Sequence, residues 1–113
     1  MKRAWRLKSE SDVQRVWQQG GAYAHPLLIL RVRPNGLGGT RVAFVVSKKV
    51  GHAVARNRAK RLMREAMRQR FLETAPGYDL VLIGRDRIAG ATYVQVSAAL
   101  DNVLARAGLL KQK

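Results

Sequence analysis

A run of positively charged side chains in the middle of the chain is the part of the sequence best suited to chemistry. Residues 48 to 70 contain nine basic side chains and a single acid, Glu65. Most of the nine are arginines, whose planar guanidinium groups can bind two phosphate oxygens at once and can stack on bases. The run therefore indicates a surface that binds a polyanion. Its basic members are Lys48, Lys49, Arg56, Arg58, Lys60, Arg61, Arg64, Arg68 and Arg70.

The same run has the period of an amphipathic helix. One helical face is apolar and carries Ala59, Leu62, Met63, Ala66 and Met67. A different face carries Asn57, Lys60, Arg61, Arg64 and Arg68. Like charges four residues apart destabilise an isolated helix by about 0.2–0.5 kcal/mol per pair, so a partner that neutralises them is expected. A solvated helix face without a ligand is the alternative, although such faces usually mix the two signs.

The whole chain is also strongly basic. Its 113 residues include 22 Lys and Arg against 7 Asp and Glu, a formal net charge of +15. A domain with this imbalance repels itself and is favoured beside a polyanion, where its cations displace counterions. Nucleic acid is the first candidate; an anionic membrane and a merely soluble basic protein are the alternatives.

Length and composition limit the class of protein. The length indicates one domain, residues 1–113, and the chain has no Cys, which fits a cytoplasmic protein. The basic N-terminus is not followed by an apolar run, so no signal peptide is expected. The longest apolar runs, Leu27 to Leu30 and Leu80 to Ile83, are too short to span a bilayer, and no membrane partner is expected.

Periodicity and turn residues divide the chain into helices and strands. The elements predicted are a helix from Ser9 to Gln19, strands from Leu27 to Arg33 and from Arg41 to Ser47, a helix from about Ala55 to Thr74, a strand from Tyr78 to Gly84, and a helix from Thr92 to Ala107. The first two strands are joined by a Gly-rich turn and are expected to form a hairpin. With two or three strands before the central helix, the order indicates an α/β (α+β) two-layer sandwich, with helices packed on a mixed sheet.

No cluster of catalytic or metal-binding residues is evident. His25 and His52 lie in turn-like segments without an acid spaced to orient them, and the carboxylates are scattered singly. Asp79 and Asp86 flank a strand and are interpreted as solvated or paired with Arg85 and Arg87. We therefore predict no catalytic residue and no protein-bound metal. A basic binding module, such as a ribosomal protein or a helix-turn-helix protein, and a self-sufficient nuclease are the competing hypotheses.

Residues 44–66 read FVVSKKVGHAVARNRAKRLMREA. They closely resemble the signature of the bacterial ribonuclease P protein family, a vSKKvGnAVxRNRxKRxxRE run that ends a strand, crosses over and opens a helix. Residues 56–58 match the RNR motif of that family. Length, charge, the strand that begins at Tyr78 and the last helix also fit, so the resemblance covers essentially the whole chain.

The resemblance implies a protein that assists a catalytic RNA in cutting the 5′ leader from precursor tRNA. It implies a monomer in a 1:1 complex with that RNA, with no protein partner. Mg²⁺ would be held mainly by the RNA and the substrate, and none tightly by the protein. It further implies a left-handed βαβ crossover through the central helix, whereas general statistics favour the right hand. The residues implied to face the catalytic RNA are Arg56, Asn57, Arg58, Lys60, Arg61, Arg64 and Arg68.

The resemblance also implies a cleft that holds the single-stranded leader. The positions that match it are Val13, Trp17, Ile29, Arg31, Ser47 and Lys48. The sequence departs from the family at two of them, because Val13 stands where Phe is frequent and Arg31 where an aromatic residue is common. Trp17 can stack on an unpaired base or can serve as an ordinary core aromatic, and the sequence leaves both interpretations open.

Overall fold

A computed structural model describes residues 5–110 of the chain. The elements are α1 (Glu10–Gln19), β1 (Gly21–Ala24), β2 (Leu28–Pro34), β3 (Arg41–Val46), α2 (Ala53–Arg70), β4 (Tyr78–Gly84) and α3 (Tyr93–Arg106). Short 3-10 turns precede α2, follow it and precede α3. The mixed sheet with packed helices confirms the predicted fold class, and β1 supplies the additional short strand.

The four strands form one sheet in the order β1-β2-β4-β3. β1 pairs with β2, and β2 with β4, in antiparallel fashion, whereas β3 and β4 are parallel. The predicted hairpin between β2 and β3 is wrong, because β4 lies between them. The Gly-rich turn after β2 connects two strands that are not neighbours in the sheet. The composition of a turn does not show whether a later strand will be inserted between the strands that it joins. The buried strand β4 is therefore the link between the antiparallel and parallel parts of the sheet.

The hand of the β3-α2-β4 crossover follows from backbone hydrogen bonding. The Arg85 N–H donates to the Leu27 carbonyl, so Arg85 directs its backbone groups toward β2. Successive residues of a strand direct these groups to opposite sides, and Leu80 and Leu82 therefore direct theirs toward β3. Leu80 and Leu82 pack in the core that α2 covers. When a strand of L-residues runs upward and a side chain points at the viewer, the N–H and C=O of that residue point to the right. Seen from α2 with β4 running upward, β3 therefore lies to the right of β4. The chain moves left as it crosses from β3 through α2 to β4, and the crossover is left-handed.

The helices are divided between the two faces of the sheet. α2 and α3 cover one face and enclose a core that includes Leu30, Met63, Leu82 and Leu100, all without solvent exposure. α1 covers part of the other face, where Val16 packs with Leu7 and Val81 in a smaller second cluster. We call this side of the sheet the α1 face. The part of it beside α1 is left open and is lined by strand residues.

Local chemistry fixes the limits of the helices. The Ser9 side chain caps α1, and Thr92 and Gln95 form a reciprocal capping box at the start of α3. α1 ends at Gly20, where a Cβ would lie 2.5 Å from the Val16 carbonyl oxygen, so only glycine fits. α2 ends at Arg70, four residues before the predicted Thr74, because the chain tightens into a 3-10 turn.

Asp79 is buried and paired with Arg41, so its interpretation as a solvated residue or a partner of Arg85 or Arg87 is wrong. The pairing of β3 with β4 brings Arg41 opposite Asp79. Arg41 binds both of its carboxylate oxygens, at 2.9 and 2.8 Å, and Asn35 donates a further hydrogen bond. Arg41 also contacts Asp12 of α1 at 3.4 Å, and the Asp79 hydrogen bond, the largest influence, raises the pKa of Arg41. This ion-pair network, formed by Asp12, Asn35, Arg41 and Asp79, fastens α1 to the sheet.

Candidate nucleic-acid interface

α2 separates its apolar and basic residues as the sequence predicts. Ala59, Met63, Ala66 and Met67 are fully buried against the sheet and α3. Asn57, Arg61, Arg64 and Arg68 are exposed, and Lys60 lies half-buried at the margin of this basic face. The helix thus presents an amide and several cations to solvent while its other side anchors it rigidly, which is the arrangement needed to bind phosphates of a folded RNA.

Two arginines of the RNR motif differ from the other cations of α2. The Arg58 guanidinium donates to the carbonyls of Ala89 and Ala91, at 3.2 and 2.8 Å. Arg56 is half-buried, and its Nε is buried with no hydrogen-bond partner among residues 5–110. Arg58 therefore fastens α2 to the turn before α3, a structural contact that the helical period alone did not reveal.

Arg68 is the one cation of the exposed face that has an acidic partner in the described part of the chain. Glu65 accepts hydrogen bonds from Arg68 and from Gln69. The Arg68 hydrogen bond is the main cause that lowers the pKa of Glu65. Glu65 thus stays ionised at neutral pH and competes with any polyanion for Arg68.

Most predicted cleft residues lie on the open part of the α1 face. Ile29 of β2 pairs with Ile83 of β4, which pairs in turn with Val45 of β3, so the three form a partly exposed apolar row across the sheet. Val13 of α1 is half-buried against the second cluster. The row gives the face a floor on which flat, apolar groups can rest.

Trp17 and Arg31 form one unit at the side of this floor. The Arg31 guanidinium carbon lies 4.6 Å from the centre of the Trp17 ring, within the range of a cation–π interaction. Arg31 also donates to the Trp17 carbonyl oxygen at 2.8 Å. Trp17 is 38% exposed, so it is placed at the surface rather than in the core. An aromatic ring and a cation are therefore presented together to solvent.

Ser47 and Lys48 follow the end of β3 and are both exposed. Ser47 lines a cleft of about 550 Å³ at the carboxyl ends of β3 and β4. The other polar groups that line the cleft are Lys49, Arg85, Asp86 and Arg87. Arg85 and Arg87 were not predicted as site residues, because the sequence gave no sign that the turn after β4 would meet the turn after β3.

Among residues 5–110, no three His, Cys, Asp or Glu side chains lie together as a metal site would require. The buried carboxylate of Asp79 is neutralised by Arg41 and is not available to a metal. The His25 Nδ1 accepts a hydrogen bond from the Leu27 N–H and shapes a turn. The described side chains therefore do not fit a dedicated Mg²⁺ site. None of the described helices is both long and apolar enough to cross a bilayer.

A family model for ribonuclease P matches residues 1–108 of the chain. The chain belongs to the ribonuclease P protein family. The ribonuclease P protein component of Dehalococcoides mccartyi strain CBDB1 is 40% identical over 112 residues, which cover 99% of this chain and 92% of that protein. That of Clostridium kluyveri is 37% identical over 109 residues, covering 95% of this chain and 97% of that protein.

Solved structures of ribonuclease P proteins have the same fold. The Staphylococcus aureus protein superimposes with a TM-score of 0.88 at 29% identity, covering 96% of this chain and all of that chain. The Thermotoga maritima protein gives a TM-score of 0.81 at 28% identity, with coverage of 89% and 96%. Membership of this bacterial family makes the chain a ribonuclease P subunit whose partner is the ribonuclease P RNA, and it links the protein to tRNA processing.

Proposed function

We propose that the protein binds the catalytic RNA through α2 and holds the 5′ leader of precursor tRNA on the open part of the α1 face. The observation that carries the proposal is the exposed face of α2, where Arg61 and Arg64 have no acidic partner among the described residues. Such a face is electrostatically unfavourable in the free protein and favourable against phosphates.

The residues of the predicted leader cleft are suited to binding single-stranded RNA. The apolar row through Ile29 offers no pattern of donors that would read a base sequence, while the Trp17–Arg31 unit offers stacking and charge. Leaders differ in sequence, so recognition by stacking and backbone charge is the mode expected of such a site. Ser47 and Lys48 at the end of β3 extend the same path toward α2.

The chemistry of cleavage belongs, in this proposal, to the RNA. Mg²⁺ is held by RNA and substrate phosphates, and the protein acts by holding the leader so that substrate and metal are bound more tightly. The protein acts as a monomer in a 1:1 complex with the RNA, in the cytoplasm where precursor tRNA is processed.

The test is cleavage of a precursor tRNA at low Mg²⁺ by the protein alone, by a bacterial ribonuclease P RNA alone, and by both together. We expect cleavage at the 5′ end of the mature tRNA only when both are present. Cleavage by protein alone would place the chemistry in this chain. No stimulation of a correctly folded RNA would leave only a basic RNA-binding domain.

A further inference from the structure

A second basic groove lies along the outer edge of β3. It has a volume of about 340 Å³. Its walls are residues 6–8 on one side and Arg64 of α2 on the other, and Phe44 of β3 lies between them. We call this feature the edge groove. It adjoins the basic face of α2 through Arg64, which belongs to both surfaces.

All titratable side chains that line the edge groove are cationic. They are Arg6, Lys8 and Arg64, and none has an acidic partner among residues 5–110. The Arg64 guanidinium carbon lies 5.7 Å from the centre of the half-exposed Phe44 ring. Three converging cations without a counter-charge repel one another, so the groove favours an anionic occupant.

The backbone adds directed hydrogen-bonding groups to this charge. The Leu7 N–H donates to the Val42 carbonyl at 2.9 Å, so Val42 directs its backbone groups to the outer edge of β3. Alternate residues of a strand direct these groups to the same side, and Phe44 therefore also points its N–H and C=O outward. The segment at residues 6–7 pairs with β3 only at Val42, as an isolated bridge. The edge is thus not continued at Phe44.

We propose that the edge groove is a second RNA site, which binds the phosphates of one RNA strand running along β3. The inference rests on the proposed function, because it assumes that RNA binds the adjoining face of α2. The cations would contact phosphate oxygens, and the outward backbone groups of Phe44 would contact a phosphate oxygen or a ribose 2′-hydroxyl. The RNA surface therefore passes from α2 round the sheet edge to the N-terminal segment.

The test compares RNA binding by the full-length Arg6→Ala, Lys8→Ala and double variants. The probe is a bacterial ribonuclease P RNA, titrated at several salt concentrations. Arg106→Ala is the matched control, since Arg106 donates to the Ala24 carbonyl at the opposite edge of the sheet. Arg6→Lys keeps the charge at the groove. Circular dichroism and urea unfolding establish that each variant is folded.

We expect the double variant to bind about tenfold more weakly and to lower the slope of log affinity against log salt by about two contacts' worth. Arg106→Ala should leave both the affinity and the salt slope nearly unchanged, and Arg6→Lys should retain most of the affinity. Backbone footprinting should lose one protected RNA segment in the double variant, whereas loss of charge alone would weaken all segments evenly.

If the double variant behaves like Arg106→Ala while the wild-type protein binds normally, the edge groove is not an RNA site and the proposed function stands. If footprinting shows uniform weakening, the groove contributes only long-range charge and the proposal is overturned. If the wild-type protein neither binds the RNA nor stimulates cleavage, the proposed function itself fails, and this inference fails with it.

Discussion

The Trp17–Arg31 unit shows how a single substitution changes what a binding face can recognise. Where the resemblance to the family implies an aromatic residue, this chain has Arg31, whose guanidinium lies over one face of Trp17. That face of the indole is occupied, so a base can stack on the other face or on the guanidinium plane. Arg31 also adds a positive charge that a tyrosine would lack. The proposed binding of the leader at this point should therefore depend more on charge than binding to an all-aromatic site would.

Replacing Arg31 tests this view. We expect Arg31→Ala to weaken binding of a single-stranded oligoribonucleotide and to reduce its salt slope by about one contact's worth. Arg31→Tyr should restore affinity without restoring the slope. Binding can be followed by quenching of Trp17 fluorescence once Trp5, the other tryptophan, is changed to Phe. The Trp5 ring stacks on Phe71 with 3.8 Å between the ring centres, and Phe keeps an aromatic ring at that position. An unchanged slope in Arg31→Ala would mean that Arg31 serves only to hold α1.

Glu65 is the residue at which affinity for RNA can be raised. Changing Glu65 to Gln removes the ion pair with Arg68 and frees that guanidinium for phosphate. We expect RNA affinity to rise about threefold to tenfold and the salt slope to steepen, while the stability of the fold changes little because the pair is exposed to solvent. Glu73→Gln removes the same charge without freeing an arginine and is the control. Equal effects of both variants would show that only net charge matters.

At the scale of elements, the position of α2 depends on arginines at both ends. Arg58 near its start donates to the turn before α3, and Arg70 at its end pairs with Asp101 and Ser97 of α3. The Asp101 hydrogen bond is the main cause that raises the pKa of Arg70, so Arg70 stays positively charged at neutral pH and above. Some cations of α2 thus hold the helix in place, and others are free to bind RNA. The number of positive charges on the helix does not distinguish these two roles.

Arg58→Ala and Arg61→Ala should separate these two tasks. We expect Arg58→Ala to lower the free energy of unfolding by about 1–2 kcal/mol, because two carbonyl partners are lost. Arg61→Ala should leave stability within about 0.5 kcal/mol and weaken RNA binding. Urea unfolding and RNA titration measure the two effects. The opposite pattern would show that Arg58 is available to RNA and that Arg61 supports the fold.

The ion-pair network at Asp79 should dominate the attachment of α1. Arg41→Met removes the cation and leaves a carboxylate that is only 2% exposed without its charge partner. We expect a loss of about 3 kcal/mol in the free energy of unfolding. The hydrogen bond with Asp79 raises the pKa of Arg41, so Arg41 stays charged and its share of this stability is lost only when the pH rises far above neutral. Arg15→Ala breaks an exposed pair of α1 and should cost far less; equal losses would contradict the assignment.

Sequence patterns predicted the elements and the basic face because both depend on local periodicity. The burial of Met63 and the exposure of Arg64 follow from the angle between neighbouring helical positions. Partners far along the chain were not predictable in this way. The insertion of β4 between β2 and β3, the Arg58 contacts with residues 89 and 91, and the burial of Asp79 all join residues at least 31 positions apart. The resemblance to the family supplied the hand of the crossover, which periodicity does not encode.

At the scale of the whole molecule, one charge sign prevails on most surfaces. The net charge of +15 raises the energy of the compact state, and only five ion pairs are formed within residues 5–110. Salt screens this repulsion in the free protein and also screens attraction to phosphates. Folding and RNA binding should therefore respond to salt in opposite directions.

The response to salt can be measured directly. We expect the free energy of unfolding to increase when NaCl is raised from about 0.02 to about 0.5 M, since the Debye length falls below the distances between neighbouring cations. RNA affinity should fall by orders of magnitude over the same range. Urea unfolding at each salt concentration gives the first quantity, and RNA titration gives the second. A decrease in stability with salt would show that the internal ion pairs outweigh the repulsion.

The interior place of β4 also has a consequence for synthesis on the ribosome. A nascent chain that has emerged from the ribosome only as far as Gly77 exposes β2 and β3 but not β4, the strand with which both pair. Pairing of such distant segments is slow to nucleate, and unpaired strand edges invite association with other chains. By then the cations of α2 have also emerged, but the sheet against which α2 packs is incomplete. The interval between the emergence of α2 and that of β4 is thus the stage at which this chain is most exposed to the abundant RNA around it.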